Sequence, residues 1–147
     1  MELTIEKRDL FTVSKDYALC HCISADFALG AGIAKKFAER GVKDELIKIY
    51  NRDNWDNYGF TLYTHATSWK VEYNLVTKAL CYQKPTLKAL IEALADMRGY
   101  LEIHGVEKIA MPKIGCGLDR LKWADVKNII QEVFADTDIE ILVCDWK

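Results

Sequence analysis

The sequence predicts a layered α/β domain in which a mixed β-sheet lies between helices. Three observations carry it. Strand-like apolar runs and helix-like periodicities alternate along the chain, most regularly in its second half. Two of the runs, Tyr17–Ile23 (YALCHCI) and Ile139–Cys144 (IEILVC), are nearly continuous in apolar residues, as strands covered on both faces are. Two glycine-bearing turns, Gly30-Ala31-Gly32 and Gly115-Cys116-Gly117, each follow a strand-like run, and in open α/β sheets ligands bind beyond the carboxyl ends of strands.

Leu3–Lys7 opens the chain as a short strand, with Leu3 and Ile5 alternating against Thr4 and Glu6. Tyr17–Ile23 is the second strand. The glycines at 30 and 32 end strand character, and Ala31, Ala34, Phe37 and Ala38 then fall at helical spacing. A second helix is expected over Lys43–Tyr50, followed by polar turn material at 51–57 (NRDNWDN). Gly59–Thr67 and Glu72–Thr77, rich in β-branched and aromatic residues, read as a strand pair. Pro85 is expected in the first turn of the clearest helix, where a missing N–H costs nothing. Leu87, Leu90, Ile91, Leu94, Met97 and Leu101 form its stripe, and Gly105 ends it. Lys108–Met111 is a short buried strand. Trp123–Phe134 is a helix with Val126, Ile129, Ile130 and Val133 inward, and Ile139–Cys144 is the last strand.

The 147 residues suit one domain over 1–147, with enough buried surface to hold a core without disulfide or metal. A formal charge of −2 argues against broad, non-specific nucleic-acid binding. The N-terminus is charged and has no apolar h-region, and no window reaches the roughly 18 apolar residues of a membrane span. Five widely spaced cysteines do not resemble a secreted disulfide framework, so a reducing cytosol or nucleus is expected. In Cys20-His21-Cys22 the alternation of a strand points the histidine away from both thiols, and no second pair completes a zinc site. The short chain points to a monomer that engages no membrane.

The two glycine turns have a chemistry in common. Glycine lets backbone N–H groups approach an anion, and a helix N-terminus adds partial positive charge. Two such loops facing one another suit the two phosphates of a nucleoside diphosphate. Neither is a Walker loop or a G-x-G-x-x-G fingerprint. Lys78 stands at the carboxyl end of one strand, and Asp119 follows the second turn. If both ends open on one cleft, the lysine can act as a nucleophile and the carboxylate can shuttle its proton or activate water. From residue type alone, ordinary surface charges are the better reading of both, since charged residues are mostly exposed.

Four motifs resolve that choice: CISADFALGAGIAKKF (22–37), LVTK (75–78), KPT (84–86) and MPKIGCGLDRLKW (111–123). Together, from RDLF (8–11) to the last strand, the chain resembles the macrodomain family. Within it, the resemblance is to the terminal ADP-ribose protein glycohydrolases, also described as O-acyl-ADP-ribose deacylases. The resemblance implies a three-layer α/β/α fold with ADP-ribose in its cleft, no cofactor and no metal. It implies that Lys78 attacks the anomeric carbon of the distal ribose and expels a glutamate or aspartate carboxylate. Asp119 would be the acid/base that resolves the covalent intermediate. Asp9 would bond the adenine amino group, with Leu10 adding its backbone. Ser24 would lie near the distal ribose. Gly30, Ala31, Gly32 and Ile33, with Ile114, Gly115, Cys116, Gly117 and Leu118, would wrap the diphosphate. Trp146 would stack on adenine.

The expected substrates are mono-ADP-ribosylated proteins and O-acyl-ADP-ribose, with nucleic acid a partner only when it is itself ADP-ribosylated. The alternatives are a module that reads ADP-ribose without turnover, and a hydrolase of ADP-ribose 1″-phosphate or of ADP-ribosylated nucleic acid. A thiol enzyme pairing Cys116 with His21 ranks last, because strand alternation gives them no reason to meet. Two positions depart from the family pattern. Arg8 stands where glycine is usual and is expected to cost turn freedom. Ala79-Leu80 stand where basic residues are usual, making the rim less positive.

Overall fold

In the computed structural model, which describes residues 1–50, 59–67 and 71–146, the strands are β1 (Glu2–Glu6), β2 (Ala18–Ser24), β3 (Phe60–Thr64), β4 (Glu72–Lys78), β5 (Lys108–Met111) and β6 (Glu140–Cys144). The helices are α1 (Gly32–Glu39), α2 (Val42–Ile49), α3 (Leu87–His104) and α4 (Trp123–Phe134). A short 3-10 turn over Leu10–Thr12, not expected from the pattern, is capped by the Asp9 side chain. The polar turn expected at 51–57 lies outside the described residues.

The six strands form one sheet in the order β1-β6-β5-β2-β4-β3. Every ladder is parallel except that of β3 on β4, so the sheet is mixed, as expected. Side-chain alternation divides the core into two layers. Cys20, Tyr73, Leu75, Ile109, Ile141 and Val143 pack under α3 and α4. Leu19, Ile23, Val76, Ala110 and Leu142 pack under α1 and α2, around Phe37 and Leu46. β1 is an edge strand, and Ile5 is exposed rather than inward.

Two details of α3 differ from expectation. Pro85 lies one residue before the cap rather than inside the first turn. Thr86 is the N-cap, its hydroxyl accepting from Ala89 N at 3.1 Å. Ile91 faces solvent, and Ala89 and Ala93 complete the buried stripe with Leu90, Leu94, Met97 and Leu101. The small alanines let the helix sit close to the sheet, and Ile91 lies one helical step off that face. Gly105 ends the helix at φ +66°, as the sequence predicts.

Candidate active site

Because five strands run the same way, their carboxyl ends gather on one edge of the sheet. A cleft of about 1120 Å³ opens there, bounded by the segments that leave β1, β2, β4, β5 and β6. A smaller hollow of about 390 Å³ lies between Tyr17, Val71 and the Gly105–Lys108 segment, and neither Lys78 nor Asp119 borders it.

Lys78 is the last residue of β4, and a register shift sets its place. Ile23 pairs with Val76, but Ser24 pairs with Lys78, so Thr77 is the extra residue of a bulge. A bulge at a strand end re-aims the side chain that follows it. Ala25 N then donates to Lys78 O at 2.9 Å and holds the strand end. Asp119 comes from the turn after β5. There Leu121 N donates to Gly115 O at 2.7 Å, and Arg120 N donates to Gly117 O at 3.2 Å. Across 41 residues of chain, Lys78 Nζ donates to Asp119 Oδ1 at 2.6 Å. The two side chains are only 14% and 17% exposed. The ion pair is thus sheltered but open to the cleft.

The two glycine turns face one another across the cleft. Both line the cleft, and a Cβ placed on Gly32 would touch Leu118 Cδ1 at 3.4 Å. Gly32 and Gly115 need glycine for their backbone, at φ +59° and +72°. Gly30 and Gly117 are different. Neither has a positive φ, and a Cβ on Gly117 meets no heavy atom within 4 Å. The protein itself does not require glycine at 117; a ligand approaching the backbone would. Ala31 caps α1 without a side-chain hydrogen bond, and the first turn carries no acidic residue. The α1 N-terminus therefore presents its N–H groups beside the cleft without a competing side-chain anion.

Asp9, Leu10, Cys144, Asp145 and Trp146 line the cleft beyond β1 and β6. Asp9 Oδ1 accepts from Phe11 N at 3.0 Å, so one carboxylate oxygen is committed to the 3-10 turn. Asp145 N donates to Glu6 O at 2.8 Å and joins the exits of the two strands. Trp146 is 59% exposed at the cleft. Ser24 also borders the cleft, nearly buried, and its hydroxyl donates to Asp26 Oδ1 at 2.5 Å. Ile33 and Ile114 complete the wall.

Arg8 costs no turn freedom, contrary to expectation. It does not take a positive φ, and its guanidinium donates to Thr12 O at 2.7 Å. His21 lies on the opposite face from its cysteine neighbours, stacked on Phe37 at 3.7 Å and bonded to Asn74 Oδ1 at 2.5 Å. Burial, only partly offset by the Asn74 bond, lowers its pKa to about 4. Cys116 instead directs its thiol to Ile114 O at 3.4 Å. Burial first, and the Asp119 charge second, push the Cys22 thiol up to about 12. A thiol in that state is a poor nucleophile. Sequence reasoning also missed the cleft residues Lys36, Tyr82, Lys84 and Arg120. Tyr82, Lys84 and Arg120 lie in exposed segments with no periodicity to read, and Lys36 is a half-buried lysine of α1 off its apolar stripe.

No protein-family model matches the sequence. The chain is, however, 39% identical over 142 residues to the human protein named ADP-ribose glycohydrolase OARD1, covering 96% of this chain and 90% of that one. It is a macrodomain of the OARD1 family. Solved structures agree on the fold. The macrodomain of Mycobacterium tuberculosis DarG superposes on this macrodomain with a TM-score of 0.86 at 21% identity, covering 97% of both chains. Thermosipho africanus DarTG in complex with ADP-ribose matches at 0.80 and 16% identity, over 97% of this chain and 41% of that one.

Proposed function

We propose that this macrodomain removes ADP-ribose from glutamate and aspartate esters on proteins and deacylates O-acyl-ADP-ribose. The observation that carries the reading is the sheltered Lys78–Asp119 pair, 2.6 Å apart in a cleft walled by two facing glycine turns. The cleft suits a dianion because backbone N–H groups of the Gly30–Ile33 and Ile114–Leu118 segments take the diphosphate, while Lys36, Lys84, Lys113 and Arg120 add positive charge to the wall. This explains how a chain of net charge −2 binds one. Asp9, Leu10 and Trp146 then hold adenine at the far end, and Ser24 meets the distal ribose. The name carried by the human relative, ADP-ribose glycohydrolase, supports the same substrate class.

The chemistry follows from the contact. Asp119 accepts a proton from the Lys78 ammonium, and the freed amine adds to the anomeric carbon of the distal ribose. The bond from that carbon to the ester oxygen breaks, and its electron pair leaves with the glutamate or aspartate carboxylate. Asp119 gives its proton to that leaving group. A covalent lysyl–ADP-ribose remains. Asp119, again a carboxylate, takes a proton from water as the oxygen adds to the same carbon. The carbon–nitrogen bond breaks as that carbon–oxygen bond forms, its electron pair goes to the lysine nitrogen, and Asp119 returns the proton there. A carboxylate is a good leaving group, so one nucleophile and one acid/base suffice. The enzyme acts as a monomer in the cytosol, or in the nucleus of a cell that has one.

The test is release of ADP-ribose from an auto-modified, glutamate-linked protein. Wild type is expected to release it, Lys78→Ala to be inactive without any adduct, and Asp119→Ala to lose turnover, with the residual attack by Lys78 trapped as a covalent adduct visible as a mass shift. Binding of ADP-ribose without release would replace this reading with that of a non-catalytic module.

A further inference from the structure

The loop between β2 and α1 holds two bulky residues in the left-handed region, Phe27 at φ 54° and Leu29 at φ 42°. Both are buried. Such conformations persist only where the surroundings enforce them, and they gather at functional sites. The Asp26 carboxylate ties down the start of this loop. Its Oδ1 accepts from Ser24 Oγ at 2.5 Å and from Ala28 N at 3.1 Å. Its Oδ2 accepts from Cys81 N at 3.0 Å, a residue 55 positions away and three past Lys78. Burial alone would raise its pKa, but the bonds from Ser24, Cys81 and Ala28 outweigh it and hold the carboxyl below its ordinary value.

We propose that Asp26 is a positioning residue for the reaction: its carboxylate locks the loop that leads into the first glycine turn to the segment that follows Lys78. The inference rests on the hydrolase reading above, and it adds a residue that touches neither the scissile bond nor Lys78. The geometry has a chemical consequence at Ser24. The one hydroxyl proton is committed to Asp26, so toward the cleft Ser24 offers lone pairs only and selects a ligand hydroxyl that donates. The clasp also explains how the loop that meets the diphosphate and the strand end that carries the nucleophile keep one relative position.

Asp26→Asn separates the two halves of the clasp. The amide oxygen still accepts from Ser24 and Ala28, while its NH₂ faces the Cys81 N–H, donor against donor. The variant is expected to fold cooperatively and to bind ADP-ribose within about 3-fold of wild type, with kcat on the glutamate-linked substrate falling roughly 10- to 100-fold. Hydrogen exchange at the Cys81 amide is expected to speed up while that at Ala28 does not. If the asparagine variant does not fold, Asp26→Ser, which keeps an oxygen for Ala28 N but is too short to reach Cys81, is expected to give the same split. Unchanged kcat with a deprotected Cys81 amide overturns the proposal. So does a parallel loss of kcat and ADP-ribose affinity, which marks a merely structural role. An inactive wild type overturns the functional reading as well, whereas an active wild type with an unaltered variant overturns the clasp alone.

Discussion

Gly115→Ala and Gly117→Ala, two residues apart in one turn, are expected to fail in opposite ways. At 115 the backbone sits at φ +72°, and an added Cβ would lie 2.7 Å from Leu121 Cδ1. The left-handed conformation costs an alanine roughly 1–2 kcal/mol. Displacing Leu121 adds about 1–3 kcal/mol, toward the lower end because the clashing atom is the tip of a side chain. Together these amount to about 2–4 kcal/mol, or a fall in Tm of roughly 5–15 °C for a domain of this size. At 117 there is no positive φ and no heavy atom within 4 Å of the new Cβ. Stability should then stay within about 0.5 kcal/mol of wild type. Gly117 lines the cleft where the backbone is proposed to meet phosphate, so an added methyl is expected to hinder that approach and to lower ADP-ribose affinity at least about tenfold, the equivalent of 1.4 kcal/mol. Denaturant unfolding measures the first effect and titration calorimetry with ADP-ribose the second. The reasoning is refuted if Gly117→Ala binds as tightly as wild type, or if it loses as much stability as Gly115→Ala.

Other expectations follow from the same structure. His21 is buried neutral, its pKa lowered from 6.5 to about 4. Above the unfolded value neither state binds its proton. Between the two values the unfolded chain takes up a proton that the folded one refuses, so stability falls as pH falls, by about 3 kcal/mol at the acid end. Proton NMR should show one of the three histidine rings untitrated down to about pH 4. All three titrating near 6.5 would contradict the burial argument. Thr86→Ala removes the hydroxyl that caps α3 at 3.1 Å and is expected to cost about 1 kcal/mol in denaturant unfolding with ADP-ribose affinity unchanged.

The parts of the fold that were legible in the sequence are those whose cause is local. The apolar runs of β2 and β6 and the stripe of α3 follow from period and composition, and the strand ends placed Lys78 and Asp119 on one edge. What escaped depends on partners distant in the chain. The bulge at Thr77 exists only against Ile23 and Ser24 of β2. The Asp26 clasp joins residues 55 positions apart. Its near half was readable, since an aspartate whose side chain bonds the N–H two residues on is an Asx turn. Thr86 also carried a local signal, a threonine directly before an apolar-periodic helix, which the adjacent Pro85 masked.

The position of β6 between β1 and β5 bears on how the molecule comes into being. Among the described residues β1 pairs in the sheet with β6 alone, so during synthesis β1 must wait for β6 to emerge. The β2–β4–β3 portion can assemble earlier, with Lys78 already at its edge. The far end, where Asp145 ties to Glu6, cannot form until the sheet closes. A nascent chain thus carries its reactive lysine before it carries a complete pocket, and ligand capture becomes a late event of folding. Pairing at such sequence separation is slow because loop-closure entropy must be met before the contact stabilises anything. Refolding is therefore expected to restore sheet content near β4 before it restores affinity for ADP-ribose.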